Sequence, residues 1–206
     1  MSLRTLLAFL VGVCAFVGAS SSASAQSAQR YLKQQHDRAA HLLERPARGP
    51  EARERRTSQV NRLLSELFDY QEHARRALDS HWNEHNGAER AEFVELLRQL
   101  VERSYQGNLE RVLDYNIRYT GEQDFDGGVV VQTEASSLEN RRAPDLEINY
   151  RMHRTDGGRW RVFDIETDGV SMIATHRDQF DRIIRRDGWD ALLRRMRERL
   201  QEDSDL

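Results

Sequence analysis

The apolar residues of this chain change their period twice. From Tyr31 to Leu113 they recur every three or four positions; from Ile117 to Ile165 they alternate with polar residues; from Ile173 to Leu200 the helical spacing returns. A segment of period two buries one side as a strand and cannot do so as a helix, because only the strand points successive side chains to opposite faces. Helices, then a meander, then helices again predict an α+β fold: a four-stranded antiparallel sheet packed with several helices around an apolar interior.

The first helical pattern, Ala28 to Leu43, carries Tyr31, Leu32, Ala39, Leu42 and Leu43 and stops at Pro46, Gly49 and Pro50, which reads as a peripheral helix. A second begins near Thr57 or Ser58 as N-cap and places Val60, Leu63, Leu64, Leu67 and Phe68 on one side; Ala74, Ala77, Leu78 and Trp82 extend that face to Asn86-Gly87. The longest runs from Ala88 to about Tyr115 through Phe93, Leu97, Leu100, Val101, Leu109, Val112 and Leu113, with a bend expected at Gly107.

Four strands follow. Ile117 and Tyr119 belong to the first; Asp126-Gly127-Gly128 turns into the second at Val129, Val131, Thr133 and Ala135. In the third, Leu146, Ile148, Tyr150 and Met152 face one way and Glu147, Asn149, Arg151 and His153 the other. Asp156-Gly157-Gly158 leads into the fourth, Arg159 to Thr167, whose apolar residues occupy both registers, Trp160 and Val162 against Phe163 and Ile165. This predicts a strand covered on both faces. A helix is expected from about Ser171 and another from Trp189 after Asp187-Gly188, with a frayed tail from Glu202 to Leu206.

The amino end reads as an export signal. Arg4 precedes an uncharged run from Leu6 to Ala19, and Ser20 to Ala25 ends in Ala-x-Ala, so residues 1–25 are expected to be a cleaved secretory signal peptide and 26–206 one domain. The run is short for a membrane span, and Val13 before Cys14 does not suit lipoprotein processing. Cleavage removes the one cysteine, so the exported chain has no thiol or disulfide and depends on its core. It would carry 30 basic residues (31 less Arg4) against 34 acidic, a net of −4 with histidine neutral, which argues against a nucleic-acid partner.

Several separated pieces stand in the order and spacing of one family: Leu67-Phe68-Asp69-Tyr70, Ala74-Arg75-Arg76-Ala77-Leu78, His81-Trp82, Phe93 to Tyr105, Glu147-Ile148-Asn149-Tyr150, and Trp160 to Phe180 with Trp160, Val162, Asp164, Gly169, Val170, Ser171, Arg177, Gln179 and Phe180. Over roughly residues 57–200 the chain resembles the MlaC, or toluene-tolerance, family of periplasmic phospholipid carriers. The departures are His176 where a tyrosine is common, Thr175 where an asparagine is common, and a basic segment from Pro46 to Arg56. The resemblance implies a non-enzymatic, cofactor-free, monomeric periplasmic shuttle. It would enclose phospholipid acyl tails and pass them between an outer-membrane lipoprotein complex and an inner-membrane complex of an MCE-domain protein with an ABC transporter, maintaining outer-membrane lipid asymmetry.

On that expectation Phe68, Leu78, Trp82, Phe93, Leu97, Tyr150, Met152, Trp160, Val162, Val170, Ile173 and Phe180 line the lipid cavity; the alternative for each is ordinary packed core. Arg177 could take a head-group phosphate through its guanidinium fork, or pair with Asp164, Glu166 or Asp168. A carrier of another apolar ligand, sterol-like or hopanoid, would use the same pocket.

One catalytic pattern competes. His81-Trp82-Asn83-Glu84-His85 fits H-x-x-E-H, in which two histidines four apart on a helix share a zinc and the glutamate activates water, so a zinc-dependent periplasmic hydrolase is the alternative reading. The motif abuts Asn86-Gly87, where the helix should end. Asp124-Phe125-Asp126-Gly127 resembles part of a calcium loop, but Ser136 and Ser137 stand near the place of the closing acid, so a hairpin turn is expected.

Overall fold

Six α-helices and one antiparallel sheet make up the described part of the chain, which in this computed structural model comprises residues 26–44, 47–106, 114–125, 127–140 and 142–202. Residues 1–25, the expected signal peptide, the expected bend at Gly107, and Leu109, Val112 and Leu113 lie outside the described residues, as do Pro46, Asp126 and the tail beyond Glu202.

In order the elements are α1 Ala28–Glu44, α2 Pro50–Leu67, α3 Tyr70–Leu78, a 3-10 segment Asp79–Glu84, α4 Gly87–Gln106, β1 Tyr115–Phe125, β2 Gly128–Ser137, β3 Leu146–Arg154, β4 Trp160–Thr167, β5 Val170–Ser171, α5 Met172–Asp187 and α6 Trp189–Glu202. The second helix starts at Pro50, two turns before the expected cap. Proline suits the first helical position, and the preceding Gly49 takes φ 88°, but the charged residues Glu51 to Arg56 carry no apolar period to announce a helix. The apolar face expected to run on to Trp82 is broken at Phe68–Asp69. Phe68 leaves helical geometry to form a parallel bridge with Val162, and Asp69 becomes the N-cap of α3, accepting from the Glu72 amide at 2.9 Å. Tyr115 opens β1; it does not close α4.

The sheet has the order β1-β2-β3-β4-β5, all antiparallel, so the expected four-stranded meander gains a two-residue fifth strand. Asp168 and Gly169 between β4 and β5 take φ 48° and 79°, both positive as a tight two-residue hairpin requires. Asp168 also pins the start of β3, donating its amide to Glu147 O and accepting from Glu147 N. At the β1–β2 turn only glycine fits position 128: a Cβ there would sit 2.1 Å from the Met152 carbonyl oxygen.

β4 carries a bulge that explains its two apolar registers. Arg151 pairs with Asp164 and Met152 with Val162, so Phe163 is extra, and the chain turns Trp160, Val162 and Ile165 to one face while Phe163 and Asp164 share the other. The strand is covered on both sides as expected. On the first face α1 lies over Val129, Val131, Tyr150, Met152 and Val162, with Val94 and Val101 of α4 packed alongside. At the side of the sheet, α3 to α6 close around Leu78, Phe93, Leu97, Phe180, Leu192 and Met196. α4 contributes to both clusters through Val94 and Val101.

The junction from β4 to α5 is held by one carboxylate. Asp164, 3% exposed, accepts the Ser171 hydroxyl at 2.7 Å and the Ile173 amide at 3.0 Å, while Ser171 Oγ accepts from the Ala174 amide at 3.1 Å as N-cap. A buried carboxylate is tolerated because these donors replace its lost water.

Candidate functional site

Ten of the twelve expected cavity residues fall into two groups, and Ile173 and Val170 stand outside both. Phe68, Tyr150, Met152 and Val162 are buried on the sheet face under α1, with Trp160 packed at their edge; Leu78, Phe93, Leu97 and Phe180 are buried among α3 to α6, with Trp82 beside them. Ile173 is buried at the start of α5. Val170 is 64% exposed: the two-residue β5, entered through positive φ, turns its side chain to solvent, so it lines no interior. Alternation could not show this, because the reversal occupies fewer residues than one period.

The sheet-face group is completed by residues that periodicity undervalued. Ala28 and Leu32 of α1, both 0% exposed, seat this helix directly on the sheet, so it is not peripheral. Its end is tied by the Gln29 amide to Glu122 of β1 at 2.8 Å, and by Trp160 Nε1, which donates to Gln26 O at 2.7 Å. Glu122 faces α1 because β1 has its own bulge between Tyr119 and Gly121, which shifts the alternation. His36 and Tyr119 share a 2.7 Å hydrogen bond over this face, and the His36 ring meets Tyr150 edge-on. Burial drives the His36 pKa down to about 4 and that of Tyr119 upward, so both groups are neutral and bonded to each other. The result is a sheet surface dominated by aliphatic and aromatic side chains, with the neutral His36–Tyr119 pair above it and Glu122 at its rim.

The opposite sheet face is closed by α3 and α5. His73, 0% exposed, donates from Nδ1 to the Phe163 carbonyl at 2.9 Å, which leaves Nε2 as acceptor for His176 Nδ1–H at 2.9 Å. Burial lowers both pKa values to about 4. His176, the residue standing where the family commonly has tyrosine, therefore joins α5 to α3. The Arg76 guanidinium lies 4.3 Å from the Phe163 ring centroid, and His153 meets Asp69 at 2.9 Å.

Arg177 is exposed and pairs with none of Asp164, Glu166 and Asp168. Its guanidinium donates to Arg76 O at 3.0 and 3.3 Å, satisfying a carbonyl near the end of α3, and it lies on the helical side of the molecule, away from the α1-covered face.

The H-x-x-E-H pattern sits on the 3-10 segment and its C-cap, where residues three apart eclipse and residues four apart do not share a face. His81 is clamped on both ring nitrogens, by Glu84 at 3.0 Å and by Asp181 of α5 at 3.0 Å; these bonds, Glu84 first, raise its pKa. His85 instead stacks on Trp189 at 3.7 Å. The two rings do not converge, and among the described residues no group of three His, Cys, Asp or Glu could hold a metal ion. Glu102 on α4, 3% exposed, is bound by Arg98 at 2.6 Å and Ser65 at 2.8 Å, a brace between α4 and α2 that spacing could not reveal.

These pieces belong to a known architecture. The chain is a member of the MlaC protein family, whose pattern matches residues 33–198. Among solved structures it is similar to the phospholipid-binding protein from Ralstonia solanacearum, determined in complex with a phospholipid at 1.53 Å. The TM-score is 0.70 at 22% identity, covering 87% of this chain and 99% of that one. The likeness confirms the α+β fold. No curated protein matches the chain.

Proposed function

We propose that this protein is a periplasmic phospholipid carrier, a binding protein and not an enzyme, that holds acyl chains between the α1-covered sheet face and α4. The observation that carries the reading is that face itself, Val129, Val131, Tyr150, Met152 and Val162 under helices, in a family and fold whose solved relative holds a phospholipid. The single-domain chain would act after removal of residues 1–25, and no described helix is long and apolar enough to cross a membrane.

The physical need for such a carrier follows from apolar hydration. Each methylene is worth about 0.8 kcal/mol, so exposing one chain of about 16 carbons to water costs on the order of 12 kcal/mol. A dry compartment lowers that barrier, and net affinity stays far below gross burial because the donor membrane competes. Release then requires an acceptor. For this chain the two ends of the traffic are an outer-membrane lipoprotein complex and an inner-membrane MCE-domain and ABC transporter complex, an exchange that would keep the outer membrane asymmetric.

Purification without detergent, solvent extraction and mass spectrometry test the carrier role. Near-stoichiometric phospholipid is expected; protein that emerges empty from lipid-replete cells overturns it. The cavity residues remaining in the proposal are Phe68, Tyr150, Met152, Trp160 and Val162, and Met152→Trp, which fills space on that face, should lower retained lipid several-fold.

A further inference from the structure

Two adjoining hollows of about 540 and 340 Å³ lie in the groove between α1 and α2 and meet at His41, Leu42 and Gln59. Leu42 and Leu63 give the groove an apolar floor, and Arg38, Arg55, Arg56 and Arg62 give it a cationic rim; the one carboxylate among the lining residues, Asp37, is bridged by Lys33 at 3.0 Å. Arg38 and Arg55 have exposed, long ion pairs with Glu66 and Glu51, both at 3.5 Å. Arg56 and Arg62 have no carboxylate partner among the described residues. Arg55 and Arg56 belong to the basic stretch that the sequence set apart, and the lipid compartment uses none of the four arginines.

We propose that the α1–α2 groove docks the protein on an anionic phospholipid surface, Arg56 and Arg62 taking head-group phosphates while the apolar floor meets the glycerol shoulder. The inference rests on the carrier reading, since a carrier must come to a lipid surface. Guanidinium forks match phosphate oxygens, and a juxtamembrane arginine strengthens binding to anionic bilayers by about five-fold. The exported chain is acidic overall, so an anionic bilayer repels most of it and attracts this local field, which orients the encounter with α1 and α2 toward the lipid.

The test is flotation of the exported chain with vesicles of phosphatidylglycerol and phosphatidylcholine, against phosphatidylcholine alone, at low and high salt. Binding should require phosphatidylglycerol, fall at high salt, and drop at least about 20-fold in Arg56→Glu/Arg62→Glu. Arg182→Glu/Arg194→Glu, an equal charge change on exposed positions of α5 and α6, should bind within two-fold of the parent. Should the glutamate pair fail to fold by circular dichroism, Arg56→Gln/Arg62→Gln carries the same prediction at a smaller loss. The proposal is overturned if the groove variant binds like the parent, if both variants lose binding equally, or if the parent ignores anionic vesicles, which would leave the groove to an acidic protein helix. Phospholipid retained in the purified protein without vesicle binding sinks only the docking inference; vesicle binding by lipid-free protein sinks only the carrier reading.

Discussion

The helical lobe and the sheet face bury similar side chains but are closed in different ways. In the lobe, α3, α4, α5 and α6 surround Phe93 and Phe180, whose rings meet edge-on at 5.3 Å, and polar clamps join the helices around them: His81 between Glu84 and Asp181, Arg177 on Arg76 O, His73 with His176, and the Arg197 ion pair with Glu92. The sheet face has α1 as its lid, seated by Ala28 and Leu32 and fastened through Gln26, Gln29 and His36. A lobe closed by contacts from several helices resists local opening, while a single helix, seated on the sheet by Ala28 and Leu32 and on α2 by Leu43 against Val60 and Leu64, opens at lower cost. On the proposed carrier reading, the lobe serves stability and the sheet face serves exchange of a guest.

Truncation of Phe93 probes this most strongly. Phe93→Ala removes a 0% exposed ring and should cost about 3–5 kcal/mol in urea unfolding, with the lipid-to-protein ratio of the folded fraction unchanged. A loss of lipid in step with stability would dissolve the distinction between the two regions.

Acid comes next. His73 titrates near 4 in the folded chain against about 6.5 unfolded, so between those values the unfolded chain binds more protons and stability falls as pH drops from neutrality toward 4. The full loss at this buried site is about 3 kcal/mol. Urea midpoints measured across that range should show it, and His176→Tyr, which removes one titrating imidazole, should flatten the curve. An unchanged slope in His176→Tyr would detach the histidine pair from the stability of the lobe.

On the other side, Leu32→Ala should cost about 2–3 kcal/mol and, unlike Phe93→Ala, accelerate transfer of lipid to acceptor vesicles. Equal transfer rates for parent and variant would remove α1 from its role as the moving wall. Ser171→Ala, which deletes the cap of α5 and one donor to Asp164, should cost about 1–2 kcal/mol by thermal melting. Smallest is Lys33→Ala, whose exposed pair with Asp37 should change stability by less than about 0.5 kcal/mol.

Much of the architecture was legible because periodicity reports local geometry. The four long strands, the Asp156-Gly157-Gly158 turn, the Ser171 cap and the Gly188 break stand where their residue types predict, and the family pattern was recognisable from the ordered pieces between Leu67 and Phe180. The start of α2 was hidden because Glu51 to Arg56 face solvent and carry no apolar signal. Phe68 looked helical because its departure is caused by Val162, 94 positions away. Of the candidate site, Phe68, Tyr150, Met152 and Val162 do meet on one face, but Leu78, Phe93, Leu97 and Phe180 belong to the lobe, since a buried aromatic has the same spacing in either.

By itself the sequence determined the order of helices and strands, the faces that seek burial and the family, because these depend on intervals of two to seven residues and on motifs carried in the chain. Tertiary structure alone decided which buried side chains face α1 and which the lobe, that two bulges reset the alternation in β1 and β4, and that Arg177, His81 and His176 serve as clamps between helices. Those outcomes depend on partners that folding brings from distant positions, and a side chain's chemistry does not name the partner it will meet.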